Sequence, residues 1–246
     1  QAITDSGLSR RYVLGSIQGS LQRLGTDWID IFFLHIPDPF TPLDETLRAL
    51  EDAANKGWVR YVGLSNYPAW LAQKALGLQK AKGYAPFIAM QMYYSLLGRD
   101  IEHEVVPLLR DSNMGLMTWS PLASGFLSGK YTRENPVPED SRRAKFDFPP
   151  VDVEKGYDVV AKLGEMAARY EASVPQMALA WLLAKPHVSS VLVGANKMSQ
   201  LEDNLRCVEI ELDAKEVAEL DEITAPAPTY PGWMQPMGRD PQVDQG

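Results

Sequence analysis

Five stretches of this chain are apolar runs with little polar alternation: IDIFFLH at 29–35, WVRYVGLSN at 58–66, FIAMQMYY at 87–94, GLMTWSPL at 115–122 and VSSVLVGA at 188–195. A strand of that composition needs cover on both faces. An antiparallel hairpin with one wet face does not supply it, whereas a parallel sheet clad in helices does. Helical patterns lie between these runs, mostly at intervals of about 25–35 residues, as strand–helix–strand crossovers require.

The helix signals are local and physical. Ser9 is placed to cap a helix over 9–24, with Val13, Leu14, Ile17, Leu21 and Leu24 on one face and Gly25 as the stop. Thr41 and Pro42 open a second helix, with Asp44 completing a capping box and Gly57 ending it. Pro68 starts a third, which runs to about Lys82. Further helices are expected near 101–112, 153–171, 174–185, 198–206 and from Asp213 to Glu222, with capping boxes at Ser173/Gln176 and Asp213/Glu216. Residues 131–152 and the Pro- and Gly-rich tail 225–246 read as irregular.

An open doubly wound sheet and a (β/α)8 TIM-type barrel both fit this alternation. No GxGxxG follows the first strand, which argues against a dinucleotide-binding doubly wound fold. Instead polar residues stand at successive strand ends: His35, Ser65 with Asn66, Gln91, Ser120, and Gly194 with Asn196. Barrel enzymes keep their chemistry at that end of the strands. The expectation is therefore an α/β fold of the (β/α)8 TIM-barrel type, carrying five of the eight β/α units in a single domain over 1–246.

Composition narrows the partners. A net charge of −8 disfavours nucleic acid as a partner. The single cysteine, Cys207, allows no disulfide framework and no CxxC metal site within one chain. No run of about 18 apolar residues is present, so no membrane partner is expected. The start, QAITDSGLSRR, has no apolar core of a signal peptide, and a cytoplasmic location is expected.

Several polar positions have two readings from the residues alone. His35 is either a packing histidine with a satisfied partner or a neutral donor to a substrate oxygen. Ser65, Asn66 and Gln91 read as strand-end caps, since Ser and Asn commonly end strands and start turns. TWSPLASGFLSGK, 118–130, is either a plain Ser/Gly turn or a close approach to a pyrophosphate with Lys130 adding charge. Tyr93, Tyr94, Trp233 and Met234 fit either core or pocket, and His103 and His187 are expected at the surface.

Taken in order, LHIPD, TPLDETLRAL, GWVRYVGLSN, MQMYYSLL, TWSPLASGFLSGKY and GANKMSQLEDNL resemble an aldo-keto reductase of the bacterial type that is also similar to the potassium-channel β subunits. The match covers nearly the whole chain. It implies a (β/α)8 barrel that reduces an aldehyde or ketone with NADPH, bound extended without a Rossmann fold. It also implies a chain that starts just before the third barrel helix. Of the family's catalytic Asp, Tyr, Lys and His, only the His matches, at His35.

The same resemblance implies that Ser65, Asn66 and Gln91 hold the nicotinamide carboxamide and that Trp119 stacks on the ring. Ser120, Pro121, Leu122, Ala123, Gly125 and Lys130 would hold the phosphates. Arg143, rather than Arg142, would cross over the cofactor. Gly194, Asn196, Lys197, Gln200, Asp203 and Asn204 would take the 2′-phosphate and adenine. Asn196 stands where the family often has Arg, which weakens the NADP signature, and Asp203 replaces the commoner Glu, a minor departure for an adenine contact. The function expected is NADP(H)-dependent carbonyl reduction on a small-molecule substrate, with little or no turnover by these 246 residues. A non-catalytic NADP(H)-binding module or a fragment is the alternative. Open barrel edges also invite homo-oligomers.

Overall fold

The structure, a computed structural model, describes residues 6–138, 141, 143 and 146–238. The chain divides into two compact units. One comprises Gln1–Tyr93, Pro107–Trp119 and His187–Ser190; the other comprises Tyr94–Val106, Ser120–Pro186 and Val191–Gly246.

The first unit is built on one sheet ordered β1-β2-β3-β4-β5: Ile29–Leu34, Val59–Ser65, Phe87–Tyr93, Gly115–Trp119 and Val188–Val191. β1 to β4 pair in parallel. Among the described residues the sheet does not close, so β1 and β5 are its edges. This is the expected α/β architecture with five strands of a barrel-type sheet.

The register explains the sheet. Leu34 pairs with Leu64, Leu64 with Met90 and Met90 with Leu116, so one apolar row crosses four strands. Each of the four is at most 2% exposed. Burial of side chains of this size stabilises by about 1.5–3 kcal/mol apiece. Three helices line up in sequence, α1 (Arg10–Leu24) against α2 (Leu43–Asn55) and α2 against α3 (Ala69–Lys82), and they bury Val13, Ile17, Leu47, Leu50, Ala72 and Ala75.

The other face of the sheet carries small residues. Phe33 pairs with Gly63, Gly63 with Ala89 and Ala89 with Gly115. The Phe33 ring lies over Gly63, where an added Cβ would stand 2.4 Å from the ring edge. The glycine is thus a steric requirement of the neighbouring strand.

Several boundaries differ from expectation for identifiable reasons. β2 and β4 stop early because Asn66 and Ser120 adopt φ of 59° and 51°, a left-handed backbone that cannot extend a strand. The capping box expected at Thr41 does not form: Pro42 is the N-cap and the Thr41 hydroxyl donates to Asp38 instead. Leu24 is exposed rather than part of the buried face of α1. The helix expected over 101–112 is a 3₁₀ turn at Asp100–Glu102 followed by α4 (Val105–Asp111). Part of the tail forms 3₁₀ turns over Gly232–Gly238.

In the second unit, α5 (Val153–Tyr170) buries Tyr157, Val160, Leu163 and Ala167 at helical spacing, and α6 (Val174–Leu183) is buried from Gln176 to Leu182. α7 (Met198–Leu205) and α8 (Ala214–Ile223) follow. The capping boxes Ser173/Gln176 and Asp213/Glu216 form as expected.

A polar cluster ties three parts of this unit together. Arg99, 8% exposed, makes two 2.8 Å hydrogen bonds to the Glu102 carboxylate and donates to the Asp221 carbonyl and the Thr224 hydroxyl. Asp221 also accepts from the Trp181 indole and from Lys185. Tyr94 donates to Glu102 at 2.6 Å. Burial, followed by the hydrogen bond to Glu102, pushes the Tyr94 hydroxyl well above its ordinary pKa. Burial alone would raise Glu102, but the bonds from Arg99 and Tyr94 outweigh it and hold the carboxyl below its ordinary value.

Two outcomes follow. Gly63→Ala should destabilise by about 1–3 kcal/mol through overpacking, and in a Phe33→Ala background most of that loss should vanish. Urea unfolding of the single and double variants checks this. For the cluster, a depressed carboxylate stabilises fully above its unfolded pKa and loses that contribution as pH falls through its folded pKa. Stability should therefore drop on acidification below the ordinary Glu range. Glu102→Gln should cost about 1–3 kcal/mol at pH 7 by removing the charge-assisted bonds from Arg99, which keeps its ion pair with Asp221, and should flatten the acid dependence of the unfolding midpoint.

Candidate functional site

Strand geometry places the first unit's polar residues. Side chains alternate with a period of two, so the residue after each member of the Leu34–Leu64–Met90–Leu116 row turns to the opposite face. Those residues are His35, Ser65, Gln91 and Met117, and the ladder aligns Ser65 with Gln91 and Gln91 with Met117. Two positions further along β3 and β4, Tyr93 pairs with Trp119.

Asn66 joins this rim into one network. Its amide nitrogen donates to the His35 carbonyl at 2.9 Å and to Ser65 Oγ at 3.1 Å. Its Oδ1 accepts from Trp119 Nε1 at 3.1 Å. Ser65 Oγ in turn donates to the Gln91 carbonyl at 2.8 Å. The Tyr93 ring packs on the Trp119 indole with centroids 5.1 Å apart. Ser65 is buried, Asn66, Gln91 and Trp119 are half-buried and His35 is exposed. The structure thus brings together Ser65, Asn66 and Trp119 with the main-chain carbonyls of His35 and Gln91. Tyr94, by contrast, is fully buried in the Arg99 cluster. His103 and His187 are half-buried rather than surface residues.

The loop after His35 is anchored by Asp38. Its carboxylate accepts from the Thr41 hydroxyl and from the Leu8 and Phe40 N–H groups at 2.7–2.8 Å. The Thr41 bond, with help from the two N–H groups, keeps this carboxyl below its ordinary pKa against the opposing effect of burial. Gly7, at φ 85°, lets the chain pass Asp38 where a Cβ would stand 2.8 Å from Oδ2. Beside this loop and the free edge of β1 lies a groove of about 510 Å³, walled by Tyr12, Val13, Phe32, Phe33, Leu34 and His35.

In the second unit, Ser120 to Lys130 form a tight turn. Ala123, Ser124 and Gly125 all take positive φ, and Ser120 Oγ accepts from the Ser124 N–H at 2.9 Å. Phe126 pins the turn from below, stacked 4.8 Å from Tyr131 and packed against Gly156, where a Cβ would meet its ring at 2.5 Å. Pro121 and Ala123 are buried, Ser120, Leu122 and Gly125 half-buried and Lys130 exposed. Arg143 is buried, donating to the Ala123 and Pro149 carbonyls and pairing with Asp147. Arg142 lies outside the described residues.

At the start of α7, Gly194, Asn196, Lys197 and Gln200 are exposed. The Gln200 side chain accepts from the Asn196 N–H at 3.0 Å. Asp203 accepts from Ser173 Oγ at 2.7 Å and from Gln176 Nε2 at 2.8 Å, and Asn204 is buried. Gln200 and Asp203 are therefore already engaged in organising their own backbone and the cap of α6.

Which chemistry does the rim suit? A planar amide needs donors for its oxygen and acceptors for its NH2. Asn66 and Ser65 have committed their hydrogens within the network but keep acceptor lone pairs, and Gln91 brings an amide whose donors the network does not use. A half-exposed indole stands next to them. This donor and acceptor set fits a nicotinamide carboxamide. The sequence did not disclose the Asn66–Trp119 bond, the Asp38 anchor or the Tyr93 stack, although an indole, as a pure donor, signals that some acceptor must meet it.

A profile of the Aldo/keto reductase family matches residues 2–225. The chain is 36% identical over 211 residues to a probable voltage-gated potassium channel subunit beta of Arabidopsis thaliana, covering 84% of this chain and 64% of that protein. It is 36% identical over 225 residues to the L-glyceraldehyde 3-phosphate reductase of Escherichia coli (strain K12), covering 88% and 64%. An uncharacterized oxidoreductase of Bacillus subtilis (strain 168) is 35% identical over 238 residues, covering 96% and 68%. The chain thus spans just under two thirds of the length of the first two relatives. With the family profile running through nine-tenths of its residues, the chain belongs to the aldo/keto reductase family.

Proposed function

We propose that this chain carries the nicotinamide-binding and carbonyl-orienting part of an NADP(H)-dependent reductase that converts an aldehyde or ketone to an alcohol. The observation that carries the reading is the Asn66 network, which joins the carboxamide-type groups, the indole and the His35 backbone on one rim. Bound NADPH would supply the hydride. Gln91 would orient the carboxamide, with Ser65 and Asn66 as acceptors, and Trp119 would offer its ring for stacking. His35 would donate a hydrogen bond to the substrate carbonyl oxygen and stabilise the alkoxide as charge develops there.

The second unit's residues enter by family pattern alone. Ser120, Pro121, Leu122, Ala123, Gly125 and Lys130 are assigned to phosphates. Arg143 is assigned to cover the cofactor, though its guanidinium is spent here on backbone carbonyls. Gly194, Asn196, Lys197, Gln200, Asp203 and Asn204 are assigned to the 2′-phosphate and adenine, where Lys197 adds positive charge at the start of α7.

By the family resemblance, the family's Asp, Tyr and Lys have no counterpart in these 246 residues. A tyrosine at its ordinary pKa of about 10 is a weak acid at neutral pH and depends on such neighbours. The proposal is therefore cofactor binding with little or no turnover by these residues, in a single family domain. Association through the unpaired sheet edges belongs to the same proposal. Among the described residues no helix is long and apolar enough to cross a membrane, and the cytoplasmic setting expected from the sequence remains part of this reading.

A titration with NADPH followed by fluorescence, then addition of an aromatic aldehyde with nicotinamide absorbance recorded, tests it. Saturable binding without absorbance loss is expected. Gln91→Ala should loosen NADPH about five- to tenfold, as for loss of hydrogen bonds to a buried amide. Lys197→Ala should weaken NADPH and leave NADH unchanged. Turnover by the chain would refute the claim of inactivity, and absence of saturable binding would refute the cofactor reading.

A further inference from the structure

We infer that Asn66 is a positioning residue that keys the Trp119 indole to the His35 backbone, so that the ring and the chain segment that carries the histidine hold a fixed mutual placement before any ligand arrives. The inference rests on the proposed nicotinamide site but concerns the protein's own wiring.

The orientation of the Asn66 amide is fixed by chemistry at both ends. The Trp119 indole can only donate, so the atom facing it at 3.1 Å must be Oδ1. The His35 carbonyl can only accept, so the atom facing it at 2.9 Å must be Nδ2. Flipping the amide would set donor against donor and acceptor against acceptor. Both Nδ2 hydrogens then have protein partners, His35 O and Ser65 Oγ. Asn66 has no hydrogen left for a ligand and can offer only its remaining Oδ1 lone pair.

The backbone supports the same role. Asn66 sits at φ 59°, a conformation Asn tolerates better than most side chains, and this places its amide at the ends of β1, β2 and β4 at once. Tyr93 packs against the indole that Asn66 holds by its edge. Ser65 completes the chain of bonds to the Gln91 carbonyl. One planar amide therefore links the Trp119 indole to the His35 main-chain carbonyl.

The positive φ supplies a clean variant. Asn66→Gly removes the side chain without leaving a Cβ in a strained backbone. Asn66→Asp keeps an acceptor for Trp119 and removes both donors. The chain has six tryptophans and three histidines, so Trp119→Phe and His35→Gln assign the two signals. In NMR spectra of the ligand-free protein, Asn66→Gly should move both the Trp119 indole N–H and the His35 imidazole resonances. Asn66→Asp should move the His35 resonances and leave the Trp119 N–H bonded. Trp119→Phe should move His35 from the other end.

If Asn66→Gly shifts Trp119 alone, or neither signal, the coupling is wrong. Circular dichroism of each variant separates a local change from unfolding, and Trp119→Phe tests the coupling even if an Asn66 variant does not fold. NADPH titration of the wild type is read separately. Failure to bind there sinks the cofactor reading and leaves the resonance result standing.

Discussion

The row Leu34–Leu64–Met90–Leu116 is the constraint from which the rest of the first unit follows. Four buried side chains on four strands must share one face to stay out of water together. That requirement fixes the register, because a slip of one residue would turn every member of the row toward the other face. Once the register is set, the next residue on each strand faces the opposite side at the same height. The alignment of Ser65 with Gln91, and of the Tyr93–Trp119 pair just beyond, is thus a by-product of core packing.

Chemistry is then added at the rim by breaking the strands. Left-handed backbone at Asn66 and Ser120 ends β2 and β4. Such conformations are costly for most residues and persist where surrounding structure enforces them. Asn66 is held by three hydrogen bonds through its side chain, and Ser120 accepts one from the Ser124 N–H. The second unit uses a different device for its turn over Ala123–Ser128: aromatic packing around Phe126 and a buried guanidinium from Arg143.

Much of this was legible in the sequence, and for reasons that can be named. Continuous apolar runs marked the five strands, and Ser173/Gln176 and Asp213/Glu216 marked two helix starts, because both signals are local. His35, Ser65, Asn66, Gln91 and Trp119 were identified as candidates, the first four by their places at strand ends and Trp119 through the family resemblance. What stayed hidden depended on contacts between distant segments. Thr41 looked like a helix cap until Asp38, held also by Leu8, claimed its hydroxyl. Tyr93 and Tyr94 looked alike in sequence, but alternation sends one to the Trp119 rim and the other into the Arg99 cluster. Asp203 read as an adenine contact, and the structure engages its carboxylate with Ser173 and Gln176.

The central claim is that the rim formed by Gln91, Asn66 and Trp119 receives a nicotinamide. A crystal structure of the chain grown with saturating NADP⁺ tests this most directly. The account predicts the carboxamide within hydrogen-bond distance of the Gln91 side chain, the ring against the Trp119 indole, and the Asn66 amide still bonded to His35 and Trp119. A nicotinamide located elsewhere, or an Asn66 amide turned away from Trp119 to donate to the ligand, would contradict it.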